Sequence, residues 1–216
     1  MLSLLSFQKP VEFTPFELKK WLIHHSFSKQ KKIMGDIVFS PYLSFETYRL
    51  FIKAQKQLTK NLRLEIMPKS TITSGVQYRE DILRGYTPLL YLDSVANVPG
   101  RGVFAEEMIF TGSFVMEYTG VVKKRSRSVL NDNDYCLSYP VHPLKRDYVI
   151  DAKEKGNLSR FINHSAKGNL DLKMVVVDGI LHMVFFAIKD IQPHEQLTFD
   201  YGYLYWKDQT LEPVEL

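Results

Sequence analysis

The sequence predicts an α+β fold, in which several small β-sheets follow a helical N-terminal region. Apolar residues in the first 85 positions recur at three- and four-residue steps, which is typical of helices that pack on one face. After about residue 86 they form short runs rich in Val, Ile, Phe and Tyr, broken by Pro-Gly, Thr-Gly, Lys-Gly and Asp-Gly pairs. Strands this short and frequent favour small sheets over one parallel sheet that alternates with helices.

Two helices are predicted in the N-terminal region. The first spans residues 16–34 and ends at Gly35. Its apolar side carries Phe16, Leu18, Trp21, Leu22 and His25. The second begins at Ser40-Pro41, an oxygen cap followed by proline, and continues for about 25 residues to Pro68. Its apolar stripe needs a partner surface, either the rest of the chain or a second copy in a homodimer.

The rest of the chain carries a hinge and then strands. The polar stretch 69–75 predicts a hinge near residues 69–86. Asp178-Gly179 predicts a two-residue hairpin turn between two strands. The apolar runs that predict strands are Leu89–Leu92, Phe114–Glu117, Tyr148–Ile150, Met174–Val177, Leu181–Ala187 and Leu197–Phe199.

Composition excludes several classes of protein. With 45% hydrophobic and 24% charged residues, the chain can bury a core and is not a disordered tail. Its single cysteine, Cys136, cannot form an intrachain disulfide or a cysteine-rich zinc site, and we predict no metal. No apolar run approaches the roughly 18 residues of a membrane span, so no membrane partner is expected. The first residues also lack the features of a cleavable signal peptide.

The net charge of +4 is unevenly distributed along the chain. Residues 1–85 hold 14 Lys and Arg against 7 Asp and Glu, whereas residues 86–216 hold 14 against 17. The basic part suits contact with DNA, chromatin or an acidic partner, and the acidic part suits a basic polypeptide substrate. Both parts are equally consistent with ordinary solvated surfaces.

Two segments of the C-terminal part carry unusual local chemistry. Residues 99–104, Pro-Gly-Arg-Gly-Val-Phe, contain two glycines that let the backbone approach a ligand closely. They lack the third glycine and the following helix of a dinucleotide site. Residues 157–165 place Arg160, Asn163 and His164 around an apolar pair. The alternative for this segment is a buried polar turn, since Asn and Ser often bond their own backbone.

Taken in order, GRGVFA, EYTG, NLSRFINHS and LTFDYG resemble the four signature segments of SET-domain protein lysine methyltransferases, over about residues 88–206. The resemblance implies a SET fold with a pseudoknot and transfer of methyl groups from S-adenosylmethionine to lysine, with S-adenosylhomocysteine as product. It divides the chain into a helical N-terminal region (1–85), a SET catalytic domain (86–206) and a C-terminal tail (207–216).

The resemblance also implies the site residues. The tyrosines of the EYTG-like and FDYG-like segments would line a lysine channel, with a third tyrosine less closely matched; these are Tyr118, Tyr201 and Tyr135. Ordinary strand packing is the alternative for all three. A phenylalanine at position 199 implies di- or trimethylation. The implied cofactor-binding residues are Gly100, Arg101, Gly102, Asn163, His164 and Tyr201.

The sequence departs from many family members in its flanks. Ala166 stands where many have a cysteine, and nothing cysteine-rich follows Tyr201, so zinc-binding modules are not expected. We therefore expect Trp206 or Tyr203 to pack on the adenine or to close the channel. The chain resembles compact bacterial or viral members, which implies a histone or histone-like substrate. The expected location is a bacterial cytoplasm or, after secretion, a host nucleus. A non-catalytic binding module and a nucleic-acid-associated protein are the alternatives.

Overall fold

The computed structural model describes residues 11–12, 34, 36–96, 100–125, 133–142, 144–145 and 147–206. The predicted helix at 16–34 lies outside this part of the chain except for its last residue, and the tail at 207–216 lies outside it entirely. The helices are α1 (Tyr48–Arg63), α2 (Ser70–Gln77), α3 (Arg79–Arg84) and α4 (Tyr203–Trp206), with a 3-10 helix at Leu158–Phe161.

The strands are short, as the sequence predicts. In chain order they are β1 (Val11–Glu12), β2 (Val38–Phe39), β3 (Ser44–Phe45), β4 (Leu90–Ser94), β5 (Arg101–Ala105), β6 (Phe114–Glu117), β7 (Val121–Lys124), β8 (Cys136–Ser138), β9 (Tyr148–Asp151), β10 (Lys155–Gly156), β11 (Asn163–His164), β12 (Leu170–Val177), β13 (Ile180–Ala187) and β14 (Thr198–Phe199). Two larger sheets have the orders β1-β3-β7-β9-β8 and β11-β14-β12-β13-β6, beside the pairs β2-β10 and β4-β5. The predicted α+β class with several small sheets is confirmed.

The β12–β13 hairpin forms at the predicted turn. Asp178 and Gly179 adopt positive φ values of 50° and 77°, the backbone that a two-residue primed turn requires. Val177 pairs directly with Ile180 across the turn. The hairpin prediction is therefore confirmed.

Helix α1 begins later than predicted. Ser40 does not cap it; the Ser40 hydroxyl donates to the carbonyl of Tyr42 at 2.8 Å. Ser44 and Phe45 are fully buried in β3, which pairs with β7. Thr47 supplies the cap instead, and its hydroxyl oxygen accepts the backbone N–H of Leu50 at 3.1 Å. The predicted start at residue 40 was wrong because burial of the β3 side chains outweighs the local capping signal.

The apolar stripe of α1 packs on its own chain. Phe51, Ala54 and Leu58 are buried in the main core with side chains of the sheets. Asn61 is also buried, and its side-chain amide donates to the carbonyl of Val141. Of the two partner surfaces left open by the sequence, α1 uses the rest of the chain. A homodimer stays a prediction, but the apolar stripe of α1 is buried within its own chain and is not available as the dimer surface.

The predicted hinge at 69–86 is wrong, since α2 and α3 occupy it. Gly75 lets α2 approach β12 closely, because an added Cβ would collide with the main-chain carbonyl of Val176. Ile82 of α3 is buried in a small cluster with Phe114 and Phe186. The segment is therefore a packed layer on the sheet.

Strands from the N-terminal region also join sheets of the rest of the chain. Strand β2 pairs with β10, and β3 pairs with β7. The division of the chain between residues 85 and 86 stays a prediction. These two strand pairs join residues from both sides of that boundary.

Substituting Gly75 by Ala tests the close approach of α2 to β12. We expect the added methyl group to lower the free energy of unfolding by roughly 1–3 kcal/mol, because the opposing atoms are main chain and cannot rotate away. Chemical denaturation measures the change. Val76→Ala, at a position 78% exposed on the same helix, is the matched control. Equal unfolding midpoints for the two variants would contradict the packing described.

Candidate active site

The site is built where β11 runs parallel to β14. Asn163 lies opposite Thr198, and His164 lies opposite Phe199. The pairing extends by one further hydrogen bond, from the backbone N–H of Ser165 to the carbonyl of Phe199 at 3.1 Å. It brings the NLSRFINHS and LTFDYG segments side by side despite their separation in sequence, as the pseudoknot of the resemblance implies.

Asn169 secures this crossing from the side. Its backbone N–H donates to the carbonyl of Thr198 at 3.0 Å, and its side-chain oxygen accepts the Thr198 N–H at 2.9 Å. Its side-chain amide donates to the carbonyl of Gln196 at 2.8 Å. With all of its polar groups engaged, this buried side chain fixes the register of β14.

A narrow cavity of about 50 Å³ opens beside the crossing. Two of the three tyrosines expected to line a lysine channel, Tyr118 and Tyr201, line this cavity, and Phe199 lines it as well. The third tyrosine, Tyr135, is not among the lining residues; its main-chain carbonyl accepts the Tyr118 hydroxyl. The remaining lining residues are Asp134, Cys136, Leu137, Ser159, Arg160, Ile162 and Tyr205.

The two channel tyrosines are held by main-chain carbonyls. The Tyr118 hydroxyl donates to the carbonyl of Tyr135, and the Tyr201 hydroxyl donates to the carbonyl of Ile162, both at 2.8 Å. Burial, reinforced by the nearby Tyr201 and Cys136, raises the pKa of Tyr118 well above its usual value. Burial also raises the pKa of Tyr201, with further contributions from Tyr205, Asp134 and Tyr135. Both phenols are therefore neutral hydrogen-bond donors near pH 7 and poor bases.

Arg160 is a cavity residue whose position the sequence does not reveal. Its guanidinium carbon lies 3.8 Å from the ring centroid of Tyr135 and 5.0 Å from that of Phe161. One guanidinium nitrogen donates to the carbonyl of Lys153 at 2.6 Å. Arg160 was singled out as a hydrogen-bonding side chain, but only the fold shows that it faces the cavity. A fixed positive charge here disfavours a second cation in the cavity.

The glycine-containing segment meets β11 next to the crossing. The side-chain amide of Asn163 donates to the carbonyl of Arg101 at 3.2 Å. Gly100 has a φ of 118°, and the space where a side chain would stand is open. Gly102 is different, because an added Cβ would collide with the side chain of Gln196. The structure thus places Gly100, Arg101 and Asn163 on one open surface.

An aromatic cluster covers the other side of His164. The Trp206 ring centroid lies 4.9 Å from that of His164, and the Trp206 ring is nearly parallel to that of Tyr201 at 6.1 Å. The backbone N–H of Tyr201 donates to Nδ1 of His164 at 3.2 Å. The indole N–H of Trp206 is buried and finds no acceptor within the described part of the chain.

Tyr205 is a further lining residue that the sequence did not single out. Its ring centroid lies 4.7 Å from that of Tyr201, in an edge-on arrangement. The sequence singled out Trp206 and Tyr203 instead, and the side chain of Tyr203 lies outside the described part of the chain. A four-residue helix, α4, decides which ring faces the cavity, and no periodicity over so short a segment signals it.

Two further findings concern metal binding and membrane-spanning helices. Among them, no group of three or more His, Cys, Asp or Glu side chains is arranged to hold a metal ion. None of the helices in the same residues has the length and apolar content of a membrane span.

The raised pKa values predict how the phenols titrate. In native protein, Tyr201 stays neutral at pH about 10.5, where exposed phenols are largely ionised. Tyr201→Phe should therefore leave the phenolate absorbance at that pH unchanged. An absorbance of the variant lower than that of the unmodified protein by the contribution of one phenolate would contradict the burial of Tyr201. The phenols of unfolded chains release their protons near pH 10, whereas those of native chains keep them. The contribution of these two phenols to the free energy of unfolding is therefore fully present below pH 10 and is lost as the pH rises above it.

The sequence is similar to a known domain family and to known proteins. Residues 100–202 match the SET domain family. The chain is 43% identical over 109 residues to the histone-lysine N-methyltransferase Set2 of Drosophila melanogaster, an alignment covering 49% of this chain and 5% of that protein. It is 32% identical over 178 residues to putative histone-lysine N-methyltransferase 1 of Plasmodium falciparum, covering 79% of this chain and 3% of that protein. The chain thus spans a small fraction of these curated relatives.

A solved structure supports the fold. A humanized mutant of the Chaetomium thermophilum Polycomb Repressive Complex 2, bound to the inhibitor GSK126, superposes with a TM-score of 0.51 and 34% sequence identity. The match covers 56% of this chain and 16% of that chain. The matched part of the chain therefore has a fold already seen in solved structures.

Proposed function

Because residues 100–202 of this chain are a SET domain, we propose that the protein transfers methyl groups from S-adenosylmethionine to the side-chain amine of lysine in a basic protein. The observation that carries the proposal is the narrow cavity lined by Tyr118, Phe199 and Tyr201 beside the open surface at Gly100 and Asn163. A small cavity of about 50 Å³ favours a slender, unbranched side chain over a bulky one. Relatives that are named histone-lysine methyltransferases support a histone or histone-like substrate.

The cavity is suited to convert lysine to its reactive form. Free lysine has a pKa of about 10.4 and is protonated, hence not nucleophilic, at neutral pH. Asp134, exposed and at the cavity, attracts the cation from solution. Further in, the loss of hydrating water and the positive guanidinium of Arg160 both disfavour the charged amine, so the proton is released to solvent. Tyr118 and Tyr201 then hold the neutral amine in place.

The open surface fits the proposed cofactor. S-adenosylmethionine supplies a methyl group carried on a positively charged sulfur, and the residues that would hold it are Gly100, Arg101, Gly102, Asn163, His164, Tyr201 and Trp206. The fit rests on the open space at Gly100 and on the unpaired, buried N–H of Trp206. The faces of Tyr201 and Trp206 stabilise nearby positive charge. The transfer is an in-line displacement, so alignment by these side chains provides much of the rate.

We further propose that the product carries two or three methyl groups. The Phe199 ring is buried between Phe185 and Tyr201, with both centroid distances at 4.8 Å. A phenylalanine has no hydroxyl to hold the amine or a water in one pose, so a methylated amine is free to turn for another transfer. The proposed setting is chromatin or a bacterial nucleoprotein, where histones or histone-like proteins are bound to DNA.

Substituting Tyr201 by Phe tests the proposed activity. We expect transfer of labelled methyl groups from S-adenosylmethionine to purified histones by the unmodified protein. The variant should be slower by roughly 100-fold, because a preorganised polar group at the reacting amine is lost. Tyr48→Phe, at a position 49% exposed on α1, is the matched control and should retain full activity. Cofactor binding without transfer to any histone would favour a non-catalytic module instead.

Substituting Phe199 by Tyr tests the proposed degree of methylation. The added hydroxyl would hold the amine or a water in one pose, so we expect monomethyl-lysine to dominate the products of the variant. Mass spectrometry of the modified histone measures the distribution. Phe110→Tyr, 64% exposed, controls for the substitution itself. The same mixture of products from Phe199→Tyr and the unmodified protein would contradict the assignment.

A further inference from the structure

The outer face of α1 carries a row of cations, here called the basic stripe. Its members are separated by four, three, four and three residues, which places them on one face of the helix, and all are exposed. They are Arg49, Lys53, Lys56, Lys60 and Arg63. The helix contains no Asp or Glu. At 1.5 Å per residue the stripe extends for about 21 Å.

The requirements of folding do not account for this stripe. Like charges three and four residues apart repel each other and weaken a helix. The helix dipole favours cations only near the C-terminal end, which explains Lys60 and Arg63 but opposes Arg49 in the first turn. Within the described residues, no member of the stripe forms an ion pair, whereas the nearby Lys69 pairs with Glu65 at 3.1 Å. The stripe is therefore a line of uncompensated positive charge.

We infer that the basic stripe binds the phosphate backbone of duplex DNA. The core of a protein–protein interface is depleted in charge and anchored by aromatic residues, and the stripe contains only cations. Sites for single-stranded nucleic acid combine charge with aromatic rings for base stacking, which the stripe also lacks. Duplex DNA is stiff and carries one negative charge per roughly 1.7 Å of its axis, both strands counted, so a straight row of about 21 Å spans a length of duplex that holds on the order of 12 phosphates.

The opposite face of the helix makes the stripe a rigid surface. Phe51, Ala54 and Leu58 anchor α1 to the core, so the cations are held in line without a cost of ordering the backbone. These residues are distinct from those that line the cavity, and the inference does not depend on the proposed function. If both hold, DNA docking raises the local concentration of DNA-bound substrate proteins around the cavity.

A matched pair of triple variants of the full chain tests the inference. Fluorescence anisotropy with a labelled duplex, at several salt concentrations, compares two sets of Lys→Gln substitutions that remove the same charge. The stripe set is Lys53, Lys56 and Lys60. The control set, exposed and outside α1, is Lys167, Lys173 and Lys189. We expect the stripe set to lose at least about tenfold in affinity near 0.1 M salt, and its salt slope to fall by about 2.7.

Several results would overturn the inference. They are equal losses of duplex affinity in the two sets, no salt-dependent binding by the unmodified chain, and tighter binding to polyglutamate or to single strands than to the duplex.

The stripe set should fold as well as the unmodified chain. Gln and Lys have similar helix propensities and the substitutions relieve repulsion, so the melting temperature of the stripe set should be equal or higher. Lys56→Gln alone should weaken binding in the same direction. Transfer to a free histone-tail peptide, measured in parallel, tests the proposed function separately and should be unaffected by the stripe set.

Discussion

The parallel pairing of β11 with β14 is the contact on which the candidate site depends. It places His164 beside Tyr201 and lets one short region contribute to both the open surface and the narrow cavity. The crossing is tight: an added Cβ at Gly168 would lie 2.7 Å from the carbonyl oxygen of Thr198. Such closeness requires glycine there, and Asn169 then fixes the register of β14 through hydrogen bonds to both the N–H and the carbonyl of Thr198. The site is therefore a product of long-range pairing.

Burial and charge determine which protonation states are favoured in the cavity. The same burial that raises the pKa of Tyr118 and Tyr201 keeps both phenols neutral, so they donate to carbonyls and do not act as bases. In the proposed reaction, deprotonation of an entering lysine therefore depends on its surroundings. The exposed carboxylate of Asp134 would attract the charged amine, and the buried guanidinium of Arg160 would disfavour its charged form inside the cavity.

The sequence predicted the fold class and the β12–β13 hairpin, and it singled out Tyr118, Phe199 and Tyr201, which line the cavity, because these follow from local turn chemistry or from contiguous motifs. It failed where packing overrides local signals. Ser40 has the features of a helix cap, yet burial of Phe45 makes the next residues a strand. At 69–86, packing depends on the small Gly75, which leaves no apolar periodicity to detect. The position of Arg160 likewise becomes visible only once the segments are assembled.

Calorimetric titration with S-adenosylhomocysteine, the product of the proposed reaction, tests most directly whether the crossing of β11 and β14 forms a methyl-transfer site. We expect one molecule to bind per chain. We also expect the Asn163→Ala variant, which lacks the amide that joins β11 to Arg101, to lose most of this affinity while the chain stays folded. Absence of binding to the unmodified chain, or undiminished binding to a folded Asn163→Ala variant, would contradict it.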